Sequence, residues 1–277
     1  MGRTLIQATI LISFFLITKK KITLKTHYPF LTLVRVVCFF FGFAFFYISL
    51  TFMSLAMVSA LFFSCPFFMS MFAKFFLKEQ IGIRRWSAIV VGFIGVLIVL
   101  NPTLKEFNFF KLAPVGCALC YACSMTITKY TSDKDNIYTQ MFYFYLIAIL
   151  LCIIIFIFMG SGQFYNSNLN PSIQFIYREW FTEFDYTWKF LLFFGFAASI
   201  AFVCIFSAYI IASPSVVSLF EYSLIIMSMI PGYFLFNEIP TSRTLLGVSF
   251  IISAGLYIYL REKIKDQYIA TETPVRR

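Results

Sequence analysis

Glu221 is the acidic residue set deep inside an apolar run, FEYSLIIMSMIPGYFLF. An ionisable group at such a place costs about 2.5 kcal/mol or more, so it must face protein or water, and its natural chemistry is to bind a proton or a cation. The plain alternative is a neutral, hydrogen-bonded Glu that ties helices together beside Tyr222 and Ser223. Tyr121, Tyr143, Tyr145 and Tyr209 also lie in apolar runs, where their ring faces suit a cationic or planar substrate. Core packing explains each of them singly just as well. Ser59 and Ser218 are small polar residues in corresponding runs, candidates to line a cavity or to bond between helices. Glu79 and Glu238 each close an apolar run where a helix dipole disfavours an anion, and Arg84 and Arg243 are close enough to offset them. A loop ion pair is the simpler role for these four, and gating the bolder one. Pro66 and Pro231 interrupt their runs and are hinge candidates, since proline leaves a carbonyl without its donor. Arg35, near the start of another run, either meets an anionic group or snorkels to lipid head groups, and snorkelling is the expectation.

Other chemistries find no support. Cys117, Cys120 and Cys123 form C-x2-C-x2-C, but on a helix the thiols fan around the axis and no fourth ligand stands nearby. All seven Cys lie in apolar runs, as small core residues do. His27 is the sole histidine and sits in a basic loop, so a His-based triad or metal site is excluded. There is no nucleotide-binding GxxxxGK[ST], no HExxH and no GxSxG. The expectation is therefore no catalytic residue, no metal and no cofactor.

The elements that must carry these residues follow from composition. Of 277 residues 61% are hydrophobic and only 12% charged, about half the charge of a soluble domain. At 21% aromatic, with 39 Phe, the chain is not disordered either. What remains is a polytopic membrane protein. Apolar runs near twenty residues, such as MFYFYLIAILLCIIIFIFMG, exclude the alternating pattern of a barrel, so the fold class is all-α. Nine spans are read, at 4–18, 30–52, 55–77, 86–101, 112–130, 138–160, 188–211, 214–236 and 243–260. The loop 161–187 should hold a short amphipathic helix around Ile173, Ile176, Trp180, Phe181 and Phe184. Trp86 and Trp188 at span ends read as interfacial anchors.

Of 22 Lys and Arg, fifteen fall on one alternate set of loops and the C-terminal tail, and six on the other. That asymmetry puts the C-terminus in the cytoplasm and, with an odd number of spans, Met1 outside. The net charge of +10 thus reflects topology and anionic lipid, not nucleic acid.

An internal repeat is visible. Val58, Ser59, Ser64, Phe75, Glu79 and Arg84 match Val217, Ser218, Ser223, Phe234, Glu238 and Arg243 under one offset of 159. The copies are five spans apart, so equivalent ends face opposite sides of the membrane, as in the inverted repeats of secondary transporters. The implied division is a first repeat over 1–102, a second over 112–262, and a cytoplasmic tail at 263–277.

Three segments carry a family resemblance. SALFFSCPFFMSMFAKFFLKEQIGIRRWSAIVVGFIGVLIVLNP resembles the end of an EamA-type repeat of the drug/metabolite transporter superfamily, with Pro66, Glu79, the Arg84–Arg85–Trp86 step and the Gly92 and Gly95 helix in place. FEYSLIIMSMIPGYFLFNEIP resembles its second-repeat counterpart, and LKTHYPFLTLVRVVCFFFG resembles bacterial carriers that include S-adenosylmethionine uptake proteins. The resemblance implies a ten-helix inverted-repeat carrier for small metabolites, with a central cavity between its halves. Nine spans against ten implies that the first half lacks its opening helix, and a truncated start is the simpler reading. The expectation is a secondary carrier of a small metabolite working by alternating access, coupled to protons or by exchange, in the bacterial inner membrane. Its partners would be the substrate and the lipid bilayer, with a homodimer left open. The alternatives are a membrane-embedded enzyme acting on a lipid-linked substrate and a non-transporting membrane partner.

Overall fold

The computed structural model describes residues 2–18, 25–78, 82–100, 112–163, 184–214 and 241–264, with single positions between 165 and 179 and between 217 and 237. The elements run α1 (Gly2–Thr18), α2 (Pro29–Leu50), α3 (Leu55–Phe62), α4 (Cys65–Phe76), α5 (Ile83–Leu100), α6 (Ala113–Thr131), α7 (Ile137–Met159), α8 (Phe184–Ile211) and α9 (Ser242–Ile264). The fold is all-α. Among the described residues three stretches, α2, α7 and Trp188–Ile211 of α8, are long and apolar enough to cross a bilayer. Ile157 and Phe158 on α7, and Phe190, Phe193, Phe194 and Phe196 on α8, are exposed, as lipid-facing side chains are. The expected span 214–236 and the expected amphipathic helix in 161–187 lie largely outside the described residues.

Local chemistry sets the helix ends. Pro29 starts α2, where a missing N–H costs nothing. Asn136 caps α7, its Oδ1 accepting from the Thr139 N–H at 2.8 Å. The apolar run 55–77 is not one helix: α3 stops at Phe62 and α4 starts at Cys65. Pro66 has no N–H to offer the Phe62 carbonyl, and it sits instead in the first turn of α4. The Ser64 N–H and hydroxyl both donate to the Leu61 carbonyl, at 3.1 and 3.0 Å, a turn that closes α3 at the break.

The chain forms two compact units interleaved in sequence, one of residues 1–37 with 134–207 and one of 38–133 with 208–277. In the first, α1 packs on α7, and Ile6 lies so close to Gly195 that a β-carbon there would come within 2.6 Å of it. Phe144, Tyr145, Phe202 and Phe206 form its aromatic core, with Phe202 and Phe206 centroids 4.5 Å apart. In the second, α9 lies along α5, α4 along α6, and α3 against both α5 and α6. Leu61, Phe63, Val248 and Ile251 form a core there. Gly42 and Gly116 let neighbours approach α6, Gly42 facing Cys120 and Gly116 facing the Phe45 ring.

The second unit also carries the 159-residue correspondence in its burial and backbone. Val58 and Val217 are buried, as are Ser59 and Ser218, whereas Phe75 and Phe234 are 70% and 76% exposed. Lys78 and Asn237, which share that offset, take left-handed φ values of 55° and 53°, and no other non-glycine among the described residues does so. Left-handed backbone is uncommon outside glycine, so its recurrence at one offset is informative.

A glutamate held by two tyrosines

Helix α6 is rich in small residues, so Tyr121 stands out from it as a large polar side chain. Its hydroxyl donates to Glu221 Oε1 at 2.6 Å, and the Tyr209 hydroxyl, from the end of α8, donates to the same oxygen at 2.7 Å. The two rings meet edge to face with centroids 6.3 Å apart. Phe62 and Phe39 flank Tyr121, at 5.4 and 6.0 Å between centroids. Glu221 Oε2 is buried and has no hydrogen-bond partner among the described residues. All these residues belong to the second unit. The result is a half-buried glutamate with one carboxylate oxygen accepting from two phenols and the other, itself buried, left as an unspent acceptor. A buried acceptor left unsatisfied costs ~1–3 kcal/mol, which a proton or a ligand cation would recover.

Two serines extend this polar set. Ser59 is fully buried, its Oγ has no partner among the described residues, and it stands one turn before Phe62 on α3. Ser124, one turn beyond Tyr121 on α6, is likewise buried with an unpartnered Oγ among the described residues. Sequence reasoning passed over Ser124, although its three-residue spacing from Tyr121 was there to be read. Ser218 is fully buried, three residues before Glu221. Under the same offset Glu221 corresponds to Phe62, so equivalent positions bring a carboxylate and a benzene ring to the same tyrosine.

The remaining candidates fare differently. Tyr143 and Tyr145 belong to the first unit, where Tyr145 is buried against Phe202 at 5.7 Å between centroids. Arg243 is exposed in the first turn of α9. Tyr222, Glu79, Glu238, Pro231 and the Arg84 side chain lie outside the described residues.

Arg35 corrects the expectation of snorkelling. It is fully buried, with Nη1 donating to Gln140 Oε1 at 2.5 Å and Nη2 to the Gln140 carbonyl at 2.7 Å. Its guanidinium lies 5.6 Å from the centroid of the Phe206 ring. Snorkelling failed because Gln140, in the first turn of α7, supplies two acceptors that lipid head groups would otherwise provide. Gln140 Nε2 donates in turn to the Asp135 carbonyl at 3.1 Å. The Asp135 carboxylate, in the loop before α7, accepts from the Thr26 hydroxyl at 2.5 Å and from the His27 N–H at 3.0 Å, and pairs with the His27 ring at 3.0 Å. Burial pushes this carboxyl up, but the Thr26 and His27 hydrogen bonds outweigh it and hold the group below its ordinary value.

Membrane-length apolar helices, with an acid held by two tyrosine hydroxyls, define an integral membrane protein of the polytopic helical class. More narrowly, the chain belongs to the EamA-like transporter family, which it matches over residues 1–101 and 111–260. It is 29% identical over 249 residues to an S-adenosylmethionine uptake transporter of Rickettsia bellii, covering 90% of this chain and 79% of that one. It is 26% identical over 208 residues to a riboflavin transporter of Vibrio cholerae, covering 75% of this chain and 63% of that one. One solved crystal structure superposes with a TM-score of 0.65 at 14% identity, over 96% of this chain and 88% of the other, a likeness of fold alone.

Proposed function

We propose that the protein is a secondary transporter that carries a small organic metabolite across the bacterial inner membrane by alternating access, with the Glu221 carboxylate receiving a proton or a cationic group. The observation that carries this reading is the pairing of Tyr121 and Tyr209, two aromatic rings, on one oxygen of Glu221, while the other oxygen is buried with no partner among the described residues. Such a site suits a substrate with a positive centre and a planar ring. S-adenosylmethionine, the substrate named for the Rickettsia relative, has both a sulfonium and an adenine.

Two inverted repeats, 1–102 and 112–262, supply the alternation. The two stretches of family match and the recurrence of burial and left-handed backbone at one offset support that division. The excess of Lys and Arg on one set of loops supports a cytoplasmic C-terminus and an external Met1. The test is uptake of labelled S-adenosylmethionine into proteoliposomes. Saturable uptake in the wild type that Glu221→Gln abolishes, at unchanged reconstitution, is expected. Equal uptake by Glu221→Gln would reject the assigned role, and product formation without flux would favour an enzyme.

A further inference from the structure

The three thiols of C-x2-C-x2-C on α6 have no further partner on that helix, but α2 supplies one. Cys38 Sγ donates to Cys123 Sγ across 3.9 Å, although the two lie 85 residues apart. Both belong to the second compact unit, and both are free thiols that stay half-buried rather than enclosed. A close antiparallel approach of two helices brings them together. A β-carbon on Gly42, one turn beyond Cys38, would stand 3.4 Å from the Cys120 β-carbon and 3.5 Å from the Cys117 carbonyl oxygen. A turn further Gly116 faces the Phe45 ring, so the register runs 38 against 123, 42 against 120 and 45 against 116. A disulfide asks for β-carbons about 4 Å apart, and a helix pair this close does not oppose the bond. Among the described residues no group of three or more His, Cys, Asp or Glu is placed to hold a metal, so the chemistry left to the pair is that of a dithiol.

We infer that Cys38 and Cys123 form an oxidation site, a dithiol that hydrogen peroxide closes to a disulfide, stapling α2 to α6. One thiolate attacks a peroxide oxygen, the O–O bond breaks, and the sulfur becomes a sulfenic acid while the other oxygen leaves as water. The second sulfur then attacks the first and expels the sulfenic hydroxyl as another water. Two thiols lose two electrons and two protons, and one peroxide is reduced to two waters. Contact between the sulfurs favours this second step over further oxidation of the first. An external thiol reverses the bond by exchange. Phe39, next to Cys38, packs against Tyr121 at 6.0 Å between centroids, so the staple closes beside a tyrosine that holds Glu221. The site itself goes beyond the transport reading, and its consequence rests on that reading. Helix α2 lies in the proposed first repeat and α6 in the second, so the bond joins the two halves whose relative motion would carry substrate, and it arrests uptake.

The test treats full-length protein in proteoliposomes with hydrogen peroxide, then reads non-reducing peptide masses and uptake of labelled S-adenosylmethionine. Expected are a linked pair of peptides containing Cys38 and Cys123, a protein mass lower by two hydrogens, and uptake slowed about tenfold or more. Dithiothreitol should reverse all three. Cys38→Ser and Cys123→Ser should keep their uptake in peroxide, whereas Cys120→Ser should respond as the wild type does. Absence of the linked peptides, sulfinic acid in their place, or a linked carrier that transports at the reduced rate overturns the inference. If the reduced wild type takes nothing up, the transport reading fails by itself, and the pair is decided by linkage together with a higher unfolding midpoint of the oxidised protein. Lacking either, it is overturned. Should a serine variant fail to fold, linkage and its reversal in the wild type decide alone.

Discussion

A carboxylate inside a lipid-solvated protein persists when its neighbours answer its charge, and the partners of Glu221 Oε1 are phenols. Tyr121→Phe or Tyr209→Phe removes one of two donors to a single oxygen, worth about 1.5–3 kcal/mol for a hydrogen bond to a charged group. Initial uptake rates should fall in either variant, about tenfold or more. Because both hydroxyls donate to Oε1, either phenol alone still satisfies it, so the double variant should lose more than the product of the two, a coupling that a double-mutant cycle measures. Strict additivity would mean that the two phenols act separately. Asp135 makes a pH prediction. Its carboxyl is held below its ordinary value of 3.8, so its contribution to stability is present above about pH 4 and is lost as pH falls through the lower folded value. Asp135→Asn should therefore lower the unfolding midpoint at about pH 7, with the gap to wild type closing below about pH 4. A gap of constant size from about pH 7 to about pH 3 would rule this out.

Helix contacts depend on a few residues that leave room or close an end. A β-carbon on Gly95 would come within 2.7 Å of the Gly247 carbonyl oxygen and 2.8 Å of Ile251 Cγ1, so α5 and α9 touch backbone to backbone. Gly95→Ala should lower the unfolding midpoint, at a cost of about 1–3 kcal/mol, whereas Gly82→Ala, with open space around it, should not lower it by overpacking. Equal midpoints for Gly95→Ala and wild type would show that the helices separate freely. Elsewhere in the same unit Lys129 Nζ donates to the Ile210 and Ile211 carbonyls at 2.6 and 3.3 Å, a cation on the last turn of α8. Lys129→Met should cost about 1.5–3 kcal/mol, and hydrogen exchange should show the end of α8 fraying first.

For the molecule as a whole, the alternation proposed above rests on the two repeats being inverted in the membrane. It predicts that a cysteine placed at Lys78 and one placed at Arg243 react with a membrane-impermeant thiol reagent from opposite sides, Lys78 from the cytoplasm. In a chain whose native Cys are first replaced, labelling of both from one side only would remove the basis for alternation. The all-α membrane class was legible in advance, from apolar runs too long for a soluble surface, while the repeat rests on two short segments sharing one offset and belongs to the proposal. The structure adds a feature no identity match contains, since Lys78 and Asn237 differ in type yet share a left-handed backbone. The break after Phe62 was less legible, because hydropathy runs unbroken from 55 to 77 while backbone hydrogen bonding does not.

What the sequence determined alone is whatever depends on local composition: the helical class, the membrane, the family pattern, and the oddity of a glutamate in an apolar run. That Glu221 needs protein partners was legible because lipid imposes a cost on any charge, whatever surrounds it. Its partners were not, since Tyr121 and Tyr209 lie 100 and 12 residues away and hydropathy does not record which faces meet. The same holds for Arg35, whose place near a span end pointed outward until Gln140, 105 residues on, turned it inward. Only tertiary structure decides such pairings, because they depend on helix rotation, and rotating a helix changes every contact while leaving its composition untouched.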